Sequence, residues 1–84
     1  MVKTIYSKKI KDNLDEYRYY IKRYKNGKVF VIVEAASYNP TNRYFEKQCL
    51  EISEKEVEEI IRLLNEDPEL FEEEYGGRNG WIDC

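Results

Sequence analysis

The chain has 84 residues, with 14 Lys/Arg against 17 Asp/Glu, no histidine and two cysteines. That length makes one domain with a thin core, burying roughly 60% of its unfolded surface. No apolar run approaches the ~18 residues that cross a bilayer, and the N-terminus has no signal-peptide core, so a membrane partner is not expected.

The net charge of −3 conceals a division. Residues 1–50 carry eleven Lys/Arg and five Asp/Glu, whereas residues 51–74 carry two and eleven. A basic half followed by an acidic one predicts a dipolar molecule, which bears on partners and not on fold.

Residues 2–6, Val-Lys-Thr-Ile-Tyr, read as a short edge strand. Residues 7–14 mix an apolar pair, Ile10 and Leu14, with Lys8-Lys9 and Asp12-Asn13, and read as a loop or a single turn. Two β-prone runs follow, at 17–25 and 28–36, joined by Asn26-Gly27. Asn-Gly suits a two-residue type I′ turn because both positions tolerate φ > 0. That register opposes Tyr24 to Val29 and Ile21 to Ile32. It predicts a core face of Tyr20, Tyr24, Val29, Val31, Val33 and Ala35. The other face, with Tyr19, Ile21, Phe30 and Ile32, is apolar in its middle and needs a cover: the tail, a second protomer or a partner.

Ser37 to Asn42 gathers turn residues around Pro40, and 43–52 reads as a third long strand. Ser53-Glu54-Lys55-Glu56 is a capping-box pattern that starts a helix over 54–65. Val57, Ile60, Ile61 and Leu64 then form one apolar stripe. Asp67-Pro68 ends that helix and starts a second over 68–75, since proline is favoured at the first helical position. The tail, 76–84, is too short for a further domain. The predicted fold is α+β: an antiparallel three- to four-stranded meander, with the main C-terminal helix on one face and a short second helix beside it.

Catalysis has little to work with. Histidine, the usual general base, is absent, and neither Cys49 nor Cys84 has a neighbour that would make it a thiolate. Gly76-Gly77-Arg78-Asn79-Gly80 follows a helix instead of preceding one, so it lacks the dipole that phosphate loops use. No catalytic residue, metal site or cofactor is expected. Two cysteines do not make a disulfide framework, so the pattern predicts a reducing, cytoplasmic setting.

Two surfaces remain. The hairpin places Arg18, Lys22, Arg23, Lys25 and Lys28 among tyrosines such as Tyr19, a composition that can hold phosphates while rings stack on bases. The same residues, lining a pocket between two copies of the chain, would suit an oligomeric sponge for a small anionic ligand. The bland alternative is that Lys and Tyr simply suit exposed strands. The acidic helices expose Glu58, Glu69, Glu72, Glu73 and Glu74, a set suited to a basic groove on a protein partner. Its bland alternative is solubility and favourable charge near helix N-termini. Trp81 is the single tryptophan. It is expected to fold back onto the uncovered sheet face near Phe30 and Ile32, or else to anchor an interface.

A small β-meander followed by an acidic helix and the run Phe71-Glu72-Glu73-Glu74-Tyr75 resembles the small phage-encoded anti-defence proteins, anti-CRISPR inhibitors among them. The resemblance covers size, charge and element order over residues 17–75, and the basic hairpin departs from the all-acidic pattern of nucleic-acid mimics. It implies a non-enzymatic inhibitor that occupies the site of a partner, such as a host defence or nucleic-acid-binding protein. Nucleic-acid binding through the hairpin is the alternative.

Overall fold

The computed structural model describes residues 1–84 as one five-stranded antiparallel sheet with both helices on one of its faces. The strands are β1 (Lys3–Asp12), β2 (Asp15–Arg23), β3 (Val29–Ser37), β4 (Tyr44–Ile52) and β5 (Ile82–Asp83). They lie side by side in chain order. Helices α1 (Glu54–Glu66) and α2 (Pro68–Tyr75) fall between β4 and β5. The predicted α+β meander is present, and it gains a fifth strand from the tail. No helix is long and apolar enough to cross a membrane.

Residues 7–14, expected to form a loop or turn, instead carry β1 on to Asp12. Antiparallel pairing with β2 outweighs the weak local signal, and the chain reverses at Asn13-Leu14 between the paired Asp12 and Asp15. Asn13 takes φ 54°, a conformation that asparagine tolerates better than most side chains.

The β2–β3 hairpin closes with three loop residues, not the expected two. The Tyr24 N–H donates to the Lys28 carbonyl at 2.8 Å, and the Gly27 N–H donates to the Tyr24 carbonyl at 2.9 Å. Lys25, Asn26 and Gly27 therefore form the loop, with Gly27 at φ +85°. This is the turn-plus-bulge hairpin in which glycine supplies the left-handed residue.

The extra residue shifts the register by one, so Val29 pairs with Arg23 and Val31 with Ile21. A one-residue slip turns every side chain of one strand over. The valine face of β3 is the core face, as expected. Its β2 partners, however, are Tyr19 and Ile21, both buried, instead of Tyr20 and Tyr24.

The helices cover that face. Val57, Ile60, Leu63 and Leu64 of α1 and Phe71 and Tyr75 of α2 join Tyr19, Ile21, Val29, Val31, Leu50 and Ile52 in one buried cluster. At the start of α1, the Glu56 carboxylate accepts the Ser53 N–H at 3.0 Å. At the start of α2, Asp67 caps by accepting the Leu70 N–H. The Tyr6 hydroxyl donates to Asn65 at 2.6 Å and the Lys8 ammonium to the Leu64 carbonyl at 2.7 Å, tying the end of α1 to β1.

The other sheet face carries no second layer; besides a row of Lys11, Glu16, Ala36 and Phe45 toward its end, it has three cross-strand rows. One is Ser7, Tyr20, Ile32, Cys49 and Ile82; the next is Lys9, Arg18, Glu34 and Lys47; on the far side lie Thr4, Lys22, Phe30 and Glu51. Ile32 and Cys49 are buried between these flanking rows of long side chains. Long polar stems cover apolar surface while keeping their charges wet. Of the expected covers the tail supplies a part, since Ile82 pairs beside Cys49 and Cys84 is bonded to it, and the centre is buried without a second protomer or partner.

The cysteines also depart from expectation. Cys49 and Cys84 form a disulfide, with Cα atoms 6.0 Å apart, and no free thiol remains. Pairing of β5 with β4 makes this possible: Ile82 lies opposite Cys49, and two residues further on Cys84 returns to the same side.

Candidate protein-binding surface

The apolar stripe of α1 and the inward Phe71 and Tyr75 of α2 fix which helical residues face water. Glu58, Glu69, Glu73 and Glu74 are exposed, and none of them is ion-paired. From Glu54 to Tyr75 the layer carries ten acids and two bases. Leu70 is exposed beside Glu69, Glu73 and Glu74.

Glu72 is exposed and unpaired as well, but it faces the junction of α2 and the sheet. Partial burial pushes its carboxyl pKa up, against a smaller opposing effect from the nearby Tyr19 hydroxyl. Tyr19, packed edge-on against Phe71 at 5.9 Å, has its hydroxyl pKa pushed up to about 12 by burial and then by Glu72 and Tyr17.

A shallow groove of about 450 Å³ opens here, lined by Ile10, Asp12, Tyr17, Tyr19, Pro68, Glu69 and Glu72. Burial raises the pKa of Tyr17, and the nearby Tyr44, Asp15, Glu72 and Asp12 raise it further. The groove lies beside the first half of α2, where Pro68, Glu69 and Glu72 border the exposed part of β1 and β2.

The hairpin cations are distributed differently. Arg18 pairs with the buried Glu16 and with Glu34 at 3.3 Å, Arg23 with Glu54, and Lys28 with Glu51 at 3.9 Å. The Lys22 ammonium lies 5.1 Å from the centre of the Tyr20 ring, while Lys25 is at the exposed loop. Lys47 reaches Glu34 at 3.9 Å and Lys9 reaches Glu16 at 3.8 Å, so Lys9, Arg18 and Lys47 share the carboxylates of Glu16 and Glu34. The cations at the Glu16 carboxylate matter because a buried carboxylate without a cation is costly. The hydrogen bond to Glu16 is the main reason that the Arg18 pKa is raised.

The five hairpin cations do not form one patch. The slipped register puts Arg18, Lys22 and Lys28 on the open face and turns Arg23 toward α1. Tyr19, the ring expected to stack on bases, is buried under α2 and presents no face to a ligand. Tyr20 occupies the open face in its place.

Trp81 packs, but not where expected. Its ring lies against the helix-side core, and its indole N–H donates to the Tyr75 carbonyl at 2.8 Å. It lies on the helix side of the sheet, away from the Phe30–Ile32 face, where the Tyr75 carbonyl accepts both its indole N–H and the Arg78 N–H. Neither the groove nor this contact carries a pattern that sequence spacing alone would show. Both depend on how α2 lies over the sheet, the groove at its start and the indole contact at its end.

Comparison with protein-family models, with curated proteins and with solved structures finds no match to this chain.

Proposed function

We propose that this is a non-enzymatic protein-binding domain whose acidic helical surface occupies a basic site on a partner protein. One observation carries the reading. Glu58, Glu69, Glu73 and Glu74 are exposed without cations, while Arg18, Arg23 and Lys28 of the hairpin are already engaged by Glu16, Glu34, Glu54 and Glu51. Unpaired charge is available for complementarity with a partner, and paired charge must first be released. Exposed Leu70 adds an apolar contact within the acidic set.

Inhibition of a host defence or nucleic-acid-binding protein is the form that the resemblance to phage-encoded anti-defence proteins suggests, and it belongs to this proposal. A cytoplasmic setting belongs to it as well and meets one opposing fact. Cys49 and Cys84 are bonded, and disulfides persist chiefly in oxidising compartments. Alkylation of the thiols at the moment of cell lysis, followed by mass measurement, decides their state.

The binding test is a four-site variant, with Glu58, Glu69, Glu73 and Glu74 all changed to Lys. It is compared with the unaltered domain and with a Lys22→Glu, Lys25→Glu variant, for capture of partner proteins and for binding of labelled single-stranded DNA and RNA. Loss of protein capture in the four-site variant alone is the expected result. Nucleic-acid binding that the hairpin variant abolishes, and that weakens steeply with salt, would replace this reading with the nucleic-acid one.

A further inference from the structure

The groove at the α2–sheet junction has three properties together. Its floor is apolar and aromatic, from Ile10 and Tyr17, with the buried Tyr19 beneath them. Its rim is acidic, from Asp12, Glu69 and Glu72, and no lysine or arginine lines it. The groove is open at the end of the sheet that α2 does not cover, where Tyr17 is half-buried and Tyr44 is exposed.

We propose that this groove receives one arginine side chain presented by a partner protein. The proposal rests on the protein-binding reading above and names the anchor for it. Each part of an arginine finds its counterpart here. The methylene stem lies along Ile10 and the tyrosine floor, since long cationic side chains bury their stems on apolar surface. The guanidinium plane stacks on an aromatic face, and its forked N–H groups reach the rim carboxylates. Lysine fits less well, because a strongly hydrated point charge neither stacks nor forks.

Charge complementarity selects a cation over a neutral apolar residue. Asp12, Asp15 and Glu72 all act to keep the Tyr17 phenol protonated, which is the signature of a negative potential at that hydroxyl. An apolar residue in the same place would also bury Glu72 and Asp12 further without a partner, at a desolvation cost. The open acidic surface on α1 and the outer side of α2 lacks the tyrosine floor, so it attracts cations without orienting them.

The test uses the intact domain and three short blocked peptides that differ at one position: arginine, its neutral isostere citrulline, and lysine. Side-chain and backbone NMR shifts are followed during titration. Shifts centred on Ile10, Tyr17 and Glu72 with the arginine peptide, weaker shifts with lysine and none with citrulline are expected. Glu72→Gln and Glu69→Gln lie at exposed positions, and each should weaken arginine binding by about fivefold, the scale of one exposed charge contact. Tyr17→Leu keeps bulk over Ile10 and should abolish discrimination between arginine and lysine.

Equal binding of citrulline would overturn the proposal, and so would shifts spread over Glu58, Glu73 and Glu74 with none at Tyr17. The two readings fail separately. If Glu58→Lys and Glu73→Lys weaken capture of a partner while the arginine peptide misses the groove, the anchor is wrong and the acidic surface stands. If the peptide seats in the groove while those reversals leave capture unchanged, the acidic-surface reading falls and the groove remains.

Discussion

The indole N–H of Trp81 donates to the carbonyl of Tyr75, the last residue of α2, at 2.8 Å. Carbonyls at a helix end have no partner within the helix, so a side chain from beyond the helix closes this one. Trp81→Phe keeps much of the apolar contact and removes the donor. Because the Arg78 N–H still reaches this carbonyl at 3.2 Å, the variant should lose only about 1 kcal/mol, the net worth of one hydrogen bond, measured by urea denaturation.

The disulfide joins residues 35 apart in sequence. In the chain-entropy account, opening a loop of that size costs about 4 kcal/mol. Cys49→Ser should therefore bring the denaturation midpoint down steeply, and treating the unaltered domain with a dithiol reductant should reproduce the loss. Hydrogen exchange should also accelerate at Cys84, whose N–H donates to the Lys47 carbonyl at 3.4 Å.

Gly27 sits at φ +85° with open space where a Cβ would go. Gly27→Ala meets no clash, so its cost is the backbone strain alone, about 1–2 kcal/mol. Thermal unfolding measures it. Asn at the same position should recover part of the loss because it tolerates the left-handed region.

Burial holds the Tyr19 phenol at about 12, above the ordinary value of 10.0. The folded state thus binds the proton more tightly than the unfolded chain. The sign follows: the stabilisation is complete below pH 10 and is lost as pH rises from there toward 12. Unfolding free energy should fall by roughly 2 kcal/mol across that window, and Tyr19→Phe should flatten most of the fall. The Glu56 carboxyl behaves in the opposite sense. The Ser53 backbone N–H lowers its pKa, with a further contribution from Arg78. Its stabilisation is present above the ordinary carboxylate range and is lost as pH falls through the lowered value, a dependence that Glu56→Gln should remove.

Where local chemistry decided the structure, the sequence was readable. Ser53 and Glu56 started α1, Asp67 and Pro68 started α2, and the valine alternation of β3 chose its face. Where one residue of loop length decided it, the reading failed. Asn26-Gly27 carries the same composition in a two-residue and a three-residue loop, yet the choice puts either Tyr19 or Tyr20 in the core. The groove inherits that ambiguity, since its floor is the β2 face that the register selects. Residues 7–14 are strand because β2 lies beside them, and no periodicity of their own announces it. The Cys49–Cys84 pairing depends on Ile82 reaching β4, a contact between segments that both helices separate in the chain.

The Cys49–Cys84 bond has one more consequence. Every carboxylate of α1 and α2, and all of the connection between them, lies inside a single covalent ring. A protease that cuts once at the exposed Glu66-Asp67 link converts ring to open chain but releases no fragment. The nicked molecule keeps one piece and one composition, heavier by a water, until the sulfurs are parted. Resistance of the acidic layer to fragmentation is therefore a matter of topology as much as of folding strength.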